Sequence, residues 1–243
     1  MRCSRPTIWL VSSVVALCAQ RAAAQTPVDS FRLAFDLGYV NTAGNTAVTT
    51  LNFGEHLSYL TGRWTLAHGL IAIEGRSQGA ESAAQYKTDL RVDRSLAARL
   101  GAYALGGYER NVFAGISRRY QEGAGLTAKL LVARHDLFDA EAGLAFIQQR
   151  STASIDASFS AARSALSYRH SFTETAVLQQ VLELLSNLKT TKDQLINSET
   201  SLTAPISKRI ALKSAYLIRY DNQPEPGFKK SDRVFTTGIQ IVF

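Results

Sequence analysis

From Phe31 onwards, apolar side chains return at every second position in one stretch after another. In Phe31–Asn41, Phe31, Leu33, Phe35, Leu37 and Tyr39 share one face against Arg32, Ala34, Asp36 and Gly38. In Gln85–Ser95, Tyr86, Leu90 and Val92 oppose Lys87, Asp89, Arg91 and Asp93. In Arg209–Asp221, Ile210, Leu212, Tyr216, Ile218 and Tyr220 oppose Arg209, Lys213 and Arg219. Arg233–Phe243 puts Phe235, Thr237, Ile239, Ile241 and Phe243 on one side. A period of two is that of a strand whose faces meet different surroundings; on a helix the same residues would scatter around the circumference.

The same reading predicts twelve strands, near 31–41, 46–60, 63–75, 85–95, 100–109, 118–132, 138–149, 157–168, 175–187, 192–203, 209–221 and 233–243. Alternation is poor in the third and eighth, and the facing of the third is ambiguous. In the ninth, Leu178, Leu182 and Leu184 share a strand face, while Val177, Val181 and Leu188 also fit a helical stripe. Asn41–Asn45 reads as a turn, Ser77–Ala84 as a small polar loop, and Asn222–Lys230 as a loop with Pro224, Pro226 and Gly227. Pro27, Pro205, Pro224 and Pro226 all fall outside the predicted strands, where a residue without an N–H costs no ladder bond.

An even count of antiparallel strands, aromatics near strand ends and mixed charges on the second face predict an all-β fold, an antiparallel transmembrane β-barrel of about twelve strands, with ten and fourteen as alternatives. Connections after the even strands read as short and most after the odd strands as longer, which places the short turns and both termini in the periplasm. Lys87, Asp89, Arg91, Asp93, Asp139, Glu141, Glu199, Lys213 and Arg219 are then the candidate lumen-facing charges. Both signs are present, so they can pair, and a twelve-strand bore is narrow enough for long paired chains to fill it largely. A constricted lumen is as consistent with the sequence as a pore. The last strand is expected to pair with the first, leaving no edge, and Phe243 to act as the terminal signal read by outer-membrane assembly machinery.

Composition narrows the classes. The 243 residues are 46% hydrophobic and 19% charged, with mean hydropathy near zero (−0.05). Beyond the N-terminus no apolar run approaches the 18 or more residues of a membrane helix. Residues 1–24 read as a cleaved signal peptide: Arg2 and Arg5 precede the apolar stretch Ile8–Ala19, and Ala22-Ala23-Ala24 gives an A-x-A site. The barrel domain is then 25–243, exported through the inner membrane to the outer one. Leu17 is too large for the position before a lipid-modified Cys18. Cys3 and Cys18 leave with the leader, which excludes disulfide staples, thiolate metal sites and a cysteine nucleophile. Loss of Arg2, Arg5 and Arg21 lowers the formal charge from +7 to +4, scattered along the chain and no nucleic-acid footprint.

No metal-ligand spacing, G-x-S-x-G or phosphate-binding glycine loop occurs, so no cofactor and no catalytic residue is assigned. Gly123-Ala124-Gly125 reads as closely packed backbone or a bend in a barrel wall. His56-Leu57-Ser58 has the His/Ser spacing of outer-membrane phospholipases. Both residues, however, lie opposite Leu57 and Tyr59, on the lumen side and near the periplasmic end, whereas a lipid hydrolase must present its serine to lipid near the outer leaflet.

Several stretches together carry a family resemblance: Leu37–Thr50, Arg118–Gly125, Asn197–Pro205 and Arg219–Asp232. In order and content they resemble the YdiY-like family of salt-induced outer-membrane proteins, a domain family of unknown function, and Pro-Gly-Phe-Lys-Lys-Ser-Asp (226–232) is the most specific part. The resemblance implies an outer-membrane barrel and lends no catalytic residues. The expected function is an envelope-associated structural barrel or a narrow, porin-like channel for small solutes, linked to salt or osmotic stress. The expected partners are outer-membrane lipid and, during biogenesis, periplasmic chaperones and the barrel-assembly machinery, with the protein a monomer. The alternatives are a barrel-type lipid hydrolase and a soluble periplasmic β-sandwich binding protein.

Overall fold

The computed structural model describes residues 29–42, 48–77, 79–173 and 176–243. The expected signal peptide and most of the Asn41–Asn45 turn lie outside them. Twelve strands follow in order: β1 (Ser30–Thr42), β2 (Val48–Thr61), β3 (Trp64–Ser77), β4 (Ala80–Ser95), β5 (Leu100–Asn111), β6 (Ile116–Val132), β7 (Asp136–Ser151), β8 (Asp156–Ser171), β9 (Val177–Asn187), β10 (Gln194–Pro205), β11 (Ile210–Asp221) and β12 (Ser231–Val242). Each pairs antiparallel with its chain neighbours, and β12 pairs with β1, so the sheet closes into a barrel. A single 3-10 turn, Val112–Ala114, joins β5 to β6.

Closure is what permits this sequence to carry its apolar face outwards. Phe31, Leu37, Tyr39, Leu51, Leu90, Leu126, Leu144 and Phe235 are all exposed on the outer wall, with many more of their kind. A wall of that size suits hydrocarbon, and a closed barrel is one of the two ways a backbone can satisfy its hydrogen bonds there. Tyr59 and Trp64 mark the lower rim, where the 62–63 and 206–209 turns lie. Tyr39, Tyr86, Tyr108 and Tyr120 sit towards the upper rim, with the Tyr108 and Tyr120 rings in contact at 5.3 Å.

The expected strands are all present; their borders and some details differ. The supposed loop Ser77–Ala84 is mostly strand: β3 runs to Ser77, β4 begins at Ala80, and Ser77 and Ala80 are registered with each other. Pro205 is inside β10 as its last residue, paired with Ala211 at the rim, where a missing N–H removes no inner ladder bond. β3 resolves with Trp64, Leu66, His68 and Leu70 outside and Ile71 and Ile73 inside, its ambiguity arising because both faces are apolar. β9 is strand throughout. The asymmetry of loop lengths is weaker than expected; 222–230, between β11 and β12, is the longest described connection.

The closing seam is short. Only Ala34–Leu37 of β1 and Ile239–Val242 of β12 are in register, whereas β1 and β2 pair from Ser30 to Thr42. Phe243 lies just beyond β12; its backbone N–H donates to the Leu33 carbonyl at 2.9 Å, and its ring meets Phe35 edge-on at 6.2 Å.

Candidate functional site

Inward-facing residues of β4, β5 and β7–β10 meet around one arginine. Arg163, on β8, has a side chain 7% exposed. Its Nε donates to Glu183 Oε1 at 2.7 Å, and its Nη1 to Glu141 Oε2 at 2.7 Å and to the Tyr103 hydroxyl at 2.8 Å. Glu141 is forked: Arg91 Nη2 donates to its Oε1 at 2.7 Å and Arg91 Nη1 to its Oε2 at 3.1 Å. Arg91 also grips Asp93 through Nε (2.8 Å) and Nη2 (2.7 Å). Asn197 donates to the second oxygen of Glu183 at 3.0 Å. Both guanidiniums also lie over the Tyr103 ring, Arg91 at 4.6 Å and Arg163 at 5.0 Å from its centroid, within cation–π range. Planar guanidiniums suit this because each can serve two acceptors in fixed directions.

Glycine makes the room. A Cβ at Gly125 or Gly143 would stand 2.7 Å from the Tyr103 hydroxyl oxygen and 2.3 Å from a backbone carbonyl across the β6–β7 pair. Gly125, of the Gly-x-Gly stretch, is thus a close-packing position. Beside the ionic belt, Ala145, Ile147, Ala161, Leu185 and Leu195 fill the lumen with an apolar cluster against which Phe159 packs.

Above the belt, β5 and β11 are six places apart in a ring of twelve and therefore face each other across the bore. Arg219 of β11 nonetheless hydrogen-bonds Glu109 of β5, and Arg119, 3.6 Å from Glu109, donates to Gln149 at 2.8 and 2.6 Å. Over this bridge lies the 222–230 loop. It is anchored by Asn222, whose side chain donates to the Lys192 carbonyl at 2.7 Å. It turns at Gly227, whose φ of +91° suits glycine. Phe228 reaches Gly115, on the β5–β6 side: a Cβ at Gly115 would meet its ring at 3.0 Å. The cavity left beneath the loop, bounded by Glu109, Arg119, Arg219 and Pro224, is only about 40 Å³. The lower half is different. A cavity of about 770 Å³ opens between β1, β2 and β8–β12, lined in part by Arg32, Ser58, Arg169, Lys208, Arg209 and Gln240. The bore is a vestibule below, belted in the middle and capped above.

Residues 35–243 match the family model described as "Protein of unknown function, DUF481". The chain belongs to this family. It is the YdiY-like family that the sequence resembles, and the 226–232 stretch, its most specific part, supplies the end of the cap and the start of β12 in this DUF481 barrel. Among solved structures the chain resembles the NanC porin at 10% identity, covering 86% of this chain and 98% of that one with a TM-score of 0.53. It also matches the translocator domain of the autotransporter NalP from Neisseria meningitidis (13% identity, 88% of each chain, TM-score 0.46). A third match is the KdgM porin in complex with disordered oligogalacturonate (10% identity, 88% of this chain and 99% of that one, TM-score 0.44). At such identities the NanC likeness shows the fold. A search of curated proteins finds no match.

The structure brings together Arg91, Asp93 and Glu141 of the candidate lumen charges, and places Lys213 and Arg219 in separate ion pairs. Lys213 Nζ meets Asp36, which also contacts His56 Nε2 at 3.2 Å and accepts from Gln240 at 2.8 Å. Lys87 lies beside Glu109 in the β4–β5 register, Asp89 stands against Gly69, Asp139 is registered with Lys129, and Glu199 lines the vestibule. Sequence reasoning missed Arg163, Glu183, Tyr103, Glu109 and Arg119. Arg163 belongs to β8, where alternation is poor, and Glu183 to β9, whose apolar residues also fit a helical stripe. His56 and Ser58 both line the vestibule, 56 bound to Asp36, and neither faces lipid.

A second unforeseen group sits on the outer wall. His68 of β3 contacts Glu55 Oε2 of β2 through Nδ1 (2.6 Å) and Thr88 Oγ1 of β4 through Nε2 (3.0 Å). The three surround Leu70, midway between the aromatic rims. Carboxylate, imidazole and hydroxyl stand in the order of a hydrolase relay. Here, however, the neighbouring backbone N–H groups are committed to the ladders, and lipid esters lie at the interfaces rather than at mid-wall. We assign the relay a structural role: three polar groups satisfying one another in hydrocarbon. Replacing His68 with leucine should destabilise the barrel by about 2–3 kcal/mol, because Glu55 is left unpaired. Replacing all three by Leu, Leu and Val should recover most of that loss. Denaturant unfolding in detergent measures both; equal losses in the two variants would refute the assignment.

Proposed function

We propose that this DUF481 protein is a barrel of the outer membrane without enzymatic chemistry, serving envelope integrity or the limited passage of small solutes, and closed towards the outside at rest. The observation that carries this reading is the Arg219–Glu109 contact between opposite strands, with the Phe228 loop above it. A bore bridged from wall to wall admits solutes only when the bridge and loop give way. The apolar outer wall and the porin-like fold support the membrane location. In this reading the lower rim is periplasmic, residues 1–24 direct export and are removed, chaperones escort the chain, Phe243 is read by the assembly machinery, and the barrel is a monomer.

Planar-bilayer recording tests the passage. The unaltered protein should give small, infrequent conductance steps. Glu109→Ala combined with Arg219→Ala should enlarge them several-fold, because two long side chains leave the bore. Silence of both proteins at every salt concentration would remove passage and leave the structural role. The proposed link to salt stress has a physical route: Arg91 and Asp93 have side chains 23% and 31% exposed, so mobile ions reach that pair and weaken it. Conductance should then rise more steeply with salt than bulk conductivity does; simple proportionality would sever that link.

A further inference from the structure

The lumen cations divide into two sets. Arg91, Arg119, Arg163, Lys213 and Arg219, in the belt and above or beside it, each have a carboxylate partner. Arg32, Arg169, Lys208 and Arg209, around the 770 Å³ vestibule, make no side-chain hydrogen bond or ion pair among the described residues. They come from β1, β8 and the β10–β11 turn, so they surround the cavity rather than form a patch beside it. Among the described residues Glu199 is the one carboxylate side chain in the lining; the C-terminal carboxylate of Phe243 lies at its rim beside Leu33, and the nearby Asp36 is already engaged by Lys213, His56 and Gln240.

We propose that this lower vestibule is a binding site for small solutes carrying two or more carboxylate or phosphate groups. Free guanidiniums are suited to such groups, since each presents paired N–H donors matched to two oxygens. Their placement on different elements around the cavity favours an anion with several charged groups over a small ion with one. Converging like charges against low-dielectric walls also raise the local concentration of anions before contact. Polar groups between the cations, Ser58, Gln179 and Ser201, can serve the hydroxyls or ester oxygens of such a solute. The belt above the cavity keeps the bound solute on the lower side.

The test is equilibrium binding of tripolyphosphate to the purified barrel in detergent, by titration calorimetry at low salt. Binding should be measurable and should weaken as salt is added. Arg32→Gln, Arg169→Gln, Lys208→Gln and Arg209→Gln together should weaken it at least tenfold while the closed barrel still shifts on a gel with heating. Neutralising four cations at the upper rim, Arg76, Arg110, Lys189 and Lys192, should change it less than twofold. Failure of the unaltered protein to bind, equal binding by the vestibule variant, or loss of binding in the upper-rim variant would each overturn the proposal. Because binding is read without any current, this result is independent of whether the barrel conducts.

Discussion

Gly238→Ala should yield a protein that no longer shows the heat-dependent gel shift of a closed barrel, or shows it only in part. The reason lies in the seam. A Cβ at Gly238 would stand 2.1 Å from the Leu37 carbonyl oxygen and 2.9 Å from the Cα of Gly38. Both are backbone atoms, so no rotamer change relieves the overlap, and β1 and β12 must separate. Among the described residues they have four registered pairs to lose, 34–37 with 239–242, and the Leu33–Phe243 backbone bonds beyond them. Once parted, the two edges present unpaired N–H and C=O groups to hydrocarbon, at several kcal/mol for each group left unsatisfied. Gly106→Ala is the control, since nothing lies within 4 Å of a Cβ there; it should close normally. Normal closure of Gly238→Ala would mean that the seam bends to accept a methyl group and that its short register is no weak point.

The period-two pattern made the barrel legible because the outer wall is selected by one uniform surrounding. Leu37, Leu90, Leu212 and Ile239 must all be apolar for the same reason, so alternation survives along each strand. The lumen has no such uniformity. Its residues answer to individual partners, and a partner's position in the sequence is set by the register of the closed sheet: Arg219 and Glu109 are 110 positions apart. Arg91 and Asp93 could be placed because they stand on a strand with a clear apolar side. Arg163 could not, because its own strand alternates with Ala, Ser and Leu, which read poorly as wall or lumen. The cap escaped for a related reason. Pro-Gly-Phe reads as a turn, but that Phe228 crosses the mouth to Gly115 depends on closure alone. The outer-wall relay contradicts the pattern outright: Glu55 and His68 occupy apolar positions, tolerable only because each supplies the other's hydrogen bond.

Arg163→Met should lower the unfolding free energy of the barrel in detergent by about 3–5 kcal/mol, the cost of stranding buried partners of a removed charge. Three groups are affected together. Among the described residues, Glu183 keeps a hydrogen bond from Asn197 alone, Glu141 keeps those from Arg91, and the Tyr103 hydroxyl loses its donor beside Gly125 and Gly143. Arg163→Lys should recover less than half of the loss, because one ammonium cannot reach two carboxylates and a phenol in the directions a guanidinium does. Adding Glu141→Gln and Glu183→Gln to Arg163→Met should restore much of the stability, since neutral amides end the charge imbalance that makes the single change severe. Denaturant titration followed by tryptophan fluorescence measures the series. If the single and triple variants unfold alike, the belt contributes packing rather than charge pairing. If instead the triple variant regains stability but conducts freely in bilayers, the ion pairs hold the constriction shut, and the buried charges are retained for closure more than for strength.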